Sequence, residues 1–184
     1  TTAAWTADTS QASANLGFSV ASAGDVNGDG YSDVVIGSPG YDNGQADEGR
    51  AFVYLGSPTG LATTAAWSAE GNQPGAAFGF SVASAGDVNG DGYAALIVGA
   101  YAYDPGQVDE GRAFAYLGSP SGLGATPAWT AEIDQPASWF GTSVASAGDV
   151  NGDGYSDVLV GAPLADQGQS DEGMAFLYLG SSGG

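Results

Sequence analysis

Apolar residues along this chain fall in short runs bounded by Gly, Pro, Ser and Asp, and no stretch carries a capped apolar period of 3.6 residues. That pattern predicts β-strands and essentially no helix. Residues 18–26 alternate and are rich in small side chains, which suits a crowded inner strand. Val34, Val35 and Ile36 form a continuous β-branched run, as expected of a strand covered on both faces. Residues 51–55, bounded by Gly49 and Gly56, place Phe52 and Tyr54 on one face. After a turn at Ser57-Pro58-Thr59-Gly60, residues 65–70 around Trp67 make a fourth strand.

The same pattern then recurs. Residues 19–31 reappear unchanged at 81–93 and at 143–155, an offset of 62 each time. Trp5, Trp67 and Trp129 keep that spacing, as do Phe52, Phe114 and Phe176. A fixed period of this length marks a repeat architecture, and four strands per period predict the blades of a β-propeller. The fold class is therefore all-β, in three 62-residue units over 1–62, 63–124 and 125–184. In this phase the chain opens with a fourth strand over residues 3–8. Its last blade stops after a third strand at 175–179. The two open edges are complementary, and open edges are templates for aggregation. Three blades fall short of the usual range of about 4–8. A second chain joined head to tail is expected to complete a six-bladed ring, a homodimer. The alternative is a piece of a longer propeller.

Composition narrows the function. Twenty aromatic residues (4 Trp, 9 Tyr, 7 Phe) exclude a disordered acidic tail. Twenty-one Asp and Glu face only Arg50 and Arg112, a formal charge of −19. That excludes nucleic acid as a partner and disfavours anionic membrane surfaces; no apolar run approaches the ~18 residues of a membrane span. Such a charge repels itself in a compact state, and bound cations would relieve it. Without Cys there are no disulfides or thiolate zinc sites, and without His there is no Ser-His-Asp triad. The chain opens on Thr1-Thr2-Ala3-Ala4-Trp5, with neither initiator Met nor signal peptide, and reads as a mature or excised fragment.

The cations have an obvious place. Asp25, Asn27, Asp29 and Asp33 put side-chain oxygens at positions 1, 3, 5 and 9 of a loop, with the carbonyl of Tyr31 at position 7. Calcium takes about 6–8 hard oxygens in a flexible shell, whereas magnesium demands a tighter octahedron. Gly30 at position 6 permits the sharp turn. Asp149, Asn151, Asp153, the Tyr155 carbonyl and Asp157 repeat the full set. The middle copy keeps Asp87, Asn89, Asp91 and the Tyr93 carbonyl, but Ala94-Ala95 replaces Ser32-Asp33. That site is expected to bind Ca²⁺ most weakly, or to complete its shell with water. Position 12 is Ile36 rather than the Glu of an EF-hand, so this is a calcium loop between two strands. A metal-free, Asx-rich hairpin is the plainer alternative.

A second acidic group comprises Asp42, Asp47 and Glu48, with its copies Asp104, Asp109, Glu110 and Asp166, Asp171, Glu172. It reads as a solvated loop with Arg50 or Arg112 pairing locally, or else as a further cation site. Met174 replaces the arginine in the third copy.

These residues together resemble the FG-GAP repeat of integrin α-subunit β-propellers and of many secreted bacterial proteins. The Phe-Gly element is Phe78-Gly79 and Phe140-Gly141, with Leu16-Gly17 in the first copy. The Gly-Ala-Pro element is Gly161-Ala162-Pro163, with Gly37-Ser38-Pro39 and the degenerate Gly99-Ala100-Tyr101. The resemblance covers the whole chain. It implies a propeller with calcium in hairpin loops between the first and second strands, and an extracellular role in adhesion or ligand binding.

The function expected is a calcium-binding, non-catalytic scaffold for protein or glycan contacts. A lectin that uses Trp5, Trp67 and Trp129 as stacking platforms is the alternative; Trp139, present in one copy only, reads as a local feature. Carboxylate pairs can hydrolyse glycosides, but acids copied into every unit at metal spacing argue against an enzyme. Near-identical copies would also suit an amplified or engineered fragment with no ligand of its own.

Overall fold

The computed structural model describes every residue except Pro105. Eleven strands, and no helix among the described residues, make three antiparallel sheets. The first contains β1 (Ser19–Gly24), β2 (Asp33–Ser38), β3 (Arg50–Tyr54) and β4 (Trp67–Glu70), in that order. The second contains β5 (Ser81–Gly86), β6 (Ala95–Ala100), β7 (Arg112–Tyr116) and β8 (Trp129–Ala131). The third has only β9 (Ser143–Gly148), β10 (Asp157–Ala162) and β11 (Met174–Tyr178). The first strands β1, β5 and β9 stand side by side, as in consecutive propeller blades. The predicted strands are all present but for one. Residues 3–8 pair with no strand among the described residues.

Blades are joined through their faces. Val35 and Val53 of the first sheet pack with Phe78, Val82, Leu96 and Val98 of the second. Ile97 and Ala113 of the second pack with Phe140, Val158 and Val160 of the third. Phe78 and Phe140 are fully buried. Each is bridged in parallel to the preceding blade, at Gly49 and Gly111 respectively, and Phe78 meets Phe114 edge-on at 5.3 Å. This is the physical role of the Phe-Gly element: its aromatic ring is wedged between two sheets.

The glycines beside it explain the rest of the motif. Gly17, Gly79 and Gly141 donate their N–H to the carbonyls of Gly37, Gly99 and Gly161 at 3.0–3.1 Å. A Cβ on Gly37 would stand 1.9 Å from the Gly79 carbonyl oxygen of the next blade, and one on Gly99 would stand 1.9 Å from that of Gly141. Only a residue without a side chain allows this approach.

The outer faces of the array lack such cover. Val20 is 64% exposed where its counterpart Val82 is 6% exposed. At the other end Leu177 is 46% exposed where Val53 is fully buried. Phe140→Ala should therefore cost about 3–5 kcal/mol, whereas Leu177→Ala should stay within about 0.5 kcal/mol, both read by urea unfolding of the dilute, chelated chain.

Candidate metal centre

Each candidate loop leaves its inner strand through a β-bulge opposite the first residue of the second strand, a device that re-aims the chain. Asp25 then curls the loop around its own carboxylate. Its Oδ1 accepts the N–H of Gly28 at 2.7 Å and of Asp29 at 3.1 Å, and its Oδ2 accepts that of Gly30 at 2.8 Å. Asn27 Oδ1 accepts from Asp29 and Asp29 Oδ1 from Tyr31. Asp87 and Asp149 repeat the arrangement. The amide of Gly154, ahead of its neighbours, holds the Asp149 carboxyl below the usual carboxylate range. Positions 1, 3 and 5 thus share one exposed curl in all three copies.

Position 9 is buried beside this curl and held differently, with the charges of Asp29 and Asp25 close enough to act on Asp33. Asp33 and Asp157 are fully buried. Asp33 Oδ2 accepts the N–H of Val26 and its Oδ1 that of Gly56, both at 2.9 Å. Asp157 does the same for Val150 and Gly180 at 2.8 and 2.9 Å. Burial pushes the Asp33 carboxyl up, against the pull of those two amides. This carboxylate ties the loop to the segment that follows the third strand. Ala95 fills the same buried place in the middle blade and offers no oxygen to the amides of Val88 and Gly118.

Among the described residues no three acidic side chains gather into a ready-made metal cluster. The donor set nevertheless fits a hard cation. Every side-chain donor is an oxygen, and a carboxylate has about four lone-pair sites, so two amides do not exhaust it. Among the described residues no arginine forms an ion pair with these loops. Arg112 pairs with Glu132, and Arg50 donates to Ser68 and lies over Tyr41 and Phe52.

The second acidic group is built differently in its first two copies. Glu48 and Glu110 are buried. Glu48 Oε1 accepts the N–H of Asn43 at 2.6 Å, and Glu110 Oε1 accepts that of Gly106 at 2.9 Å. Asp42, Asp104 and Asp166 each accept the N–H five residues on, at 2.6–2.7 Å. These acids cap the backbone of their own loop, so the expectation of a purely solvated loop is corrected at Glu48 and Glu110, while Glu172 is exposed. The arginines pair with Glu70 and Glu132 rather than with this loop.

Sequence reasoning missed a further clamp. The side-chain amide of Gln73 donates to the carbonyl of Asp104 and accepts its N–H, at 2.9 and 2.6 Å. Gln11 with Asp42 and Gln135 with Asp166 do likewise. The spacing of 31 residues at each copy was the available signal.

The repeated tryptophans pack against the repeated tyrosines. Trp5, Trp67 and Trp129 meet Tyr54, Tyr116 and Tyr178 edge-on at 4.8–4.9 Å. Trp5 and Trp67 also donate Nε1–H to the carbonyls of Ala62 and Gly124. Trp139 is 38% exposed and meets Tyr101 at 5.4 Å.

Glu48→Ala should uncover the Asn43 amide and destabilise the chain by about 1–3 kcal/mol, with cation affinity at the Asp25 loop unchanged by calorimetric titration.

Comparison with known proteins agrees with this geometry. The family pattern described as FG-GAP repeat matches residues 16–54, 78–116 and 140–178. Over 178 residues the chain is 36% identical to phosphatidylinositol-glycan-specific phospholipase D of Bos taurus, covering 91% of this chain and 21% of that protein. It is 33% identical over 151 residues to integrin alpha-4 of Xenopus laevis, with 78% and 14% covered. Human integrin alpha-IIb is 35% identical over 171 residues, with 85% and 16% covered. The chain thus spans about a fifth or less of the length of these relatives.

Proposed function

The chain belongs to the FG-GAP repeat family, and from that premise we propose that it is a calcium-stabilised, non-catalytic propeller scaffold for protein or glycan contacts in an extracellular setting. The observation that carries this reading is the threefold curl around Asp25, Asp87 and Asp149, each with oxygen donors at fixed places and, among the described residues, no arginine in an ion pair with them. Asp25, Asn27, Asp29, the Tyr31 carbonyl and Asp33 would hold one ion. Asp149, Asn151, Asp153, the Tyr155 carbonyl and Asp157 would hold another. Asp87, Asn89, Asp91 and the Tyr93 carbonyl would hold a third, one carboxylate poorer. Eight of the 21 acids lie in these loops, so loading them removes much of the self-repulsion. At calcium ~100-fold above Kd, each site adds about 2.7 kcal/mol, a large share of a total stability of about 5–15 kcal/mol.

The scaffold further pairs with a second copy of itself. Its outer faces expose the positions that inner blades bury, and Trp5 already sits on Tyr54 as Trp67 sits on Tyr116. Transposing the β3–β4 register sets Met174 opposite Asp8 and Leu177 opposite Trp5 of the second copy. Residues 3–8 would thereby become the fourth strand that β11 lacks, and six blades would close a ring.

Chelation should lower the melting temperature, and Ala95→Asp should tighten the weakest of the calcium steps; an unchanged titration in that variant would refute the ligand assignment. Light scattering in millimolar calcium should give twice the 18.1 kDa chain mass, whereas a folded species of 18.1 kDa would refute the ring and leave the calcium reading standing.

A further inference from the structure

One peptide unit serves two loops at once. The carbonyl of Tyr93 is the position-7 donor of the middle loop. The N–H of the same unit, on Ala94, donates to the carbonyl of Asp25, position 1 of the first loop, at 3.0 Å. The next junction repeats this: Ser156 N–H, which shares its unit with the Tyr155 carbonyl, donates to the Asp87 carbonyl at 2.9 Å. Side chains follow the same path. The Tyr93 ring lies against Gly28 so closely that a Cβ there would stand 2.5 Å from its Cε1, and Tyr155 covers Gly90 in the same way at 2.8 Å. Ser119 and Ser181 donate their N–H to the carbonyls of Val26 and Val88. The ligand-bearing end of each later loop is therefore seated on the ligand-bearing start of the one before.

We infer that the three cation loops are coupled in series, and that the donor-poor middle loop is filled through its two neighbours. This rests on the calcium reading of the loops. A cation drawn to the Tyr93 carbonyl polarises its peptide unit and makes Ala94 N–H a stronger donor to Asp25. Conversely, an ion in the first loop holds the Asp25 carbonyl and Gly28 in one position, and so aligns the Tyr93 peptide before its own ion arrives. Linkage makes the effect equal in both directions. Tyr93 and Tyr155 are positioning residues here as well as carbonyl donors, which gives the buried side of each ring a role beyond packing.

The test follows calcium binding at Gly30, Gly92 and Gly154, position 6 of each loop, by NMR of the full chain labelled with ¹⁵N-glycine. Asp29→Asn weakens the first loop alone, since the Asp29 side chain bonds only within it. Asp153→Asn does the same for the third, whose side chain is likewise confined. Either variant should raise the calcium Kd read at Gly92 at least about fivefold, although no middle-loop donor has changed. A Gly92 titration identical to that of the unmodified chain, beside a weakened Gly30 or Gly154, would overturn the coupling. A variant that lost its dispersed spectrum would leave the other, at the far junction, to decide. If no glycine amide of the unmodified chain moved with calcium, the calcium reading itself would fall; binding that is present but independent defeats only the coupling.

Discussion

The blades of this chain meet backbone to backbone. Gly37 lies against the carbonyl of Gly79 in the next blade, and Gly99 against that of Gly141, with no space for a methyl group. The approach of whole sheets is thereby set by main-chain dimensions rather than by side-chain volume. Everything else at the junction is fitted to that distance: the fully buried Phe78 and Phe140 fill the wedge beside it, and small residues line β1, β5 and β9 where the sheets crowd together. The Trp–Tyr pairs and glutamine clamps then fix the outer parts of each blade against the next. A junction defined this way is copied by copying the sequence, which is why one 62-residue period can be repeated without adjustment.

That constraint also accounts for what could be read from sequence. The period, the all-β class and the four-strand unit followed from local patterning. They follow because every blade repeats the same apolar alternation and the same turn residues. The curl of Asp25 around Gly28 to Gly30 was equally legible, since all its bonds lie within five residues. Long-range partners were not legible. Nothing local in Glu48 distinguishes a buried cap from a solvated acid, because its burial comes from the loop folding back over it. The tie from Asp33 to the chain beyond its own loop was equally hidden, since its second amide partner, Gly56, lies 23 residues away. Residues 3–8 failed as a strand for a related reason. Strand character there requires a neighbour, and the sequence of the segment contains only its half of the pairing.

Charge and burial are reconciled by position. The acids do not form a diffuse negative surface. Most are gathered in two loop types per blade, where backbone N–H groups face them. Oriented amides supply partial positive charge without any basic side chain, which lowers the cost of gathering acids in a chain with two arginines and a formal −19. The arginines serve instead at the flank of the sheet. Arg50 reaches Ser68 and Arg112 reaches Glu132, and each guanidinium stacks near a tyrosine, Tyr41 or Tyr103. In the third blade Met174 takes the place of the arginine.

The middle blade makes the clearest case for separating fold from site. With Ala95 in place of the buried carboxylate, β5 and β6 still pair in the same register, bulge included, as β1 and β2 do. The oxygen at position 9 is therefore not required for the strands or for the curl, which Asp87, Asn89 and Asp91 keep. The middle loop is held in addition by the loops on either side, through the Asp25 and Asp87 carbonyls. A position can thus lose its charge where backbone bonds to both neighbouring loops already hold the chain.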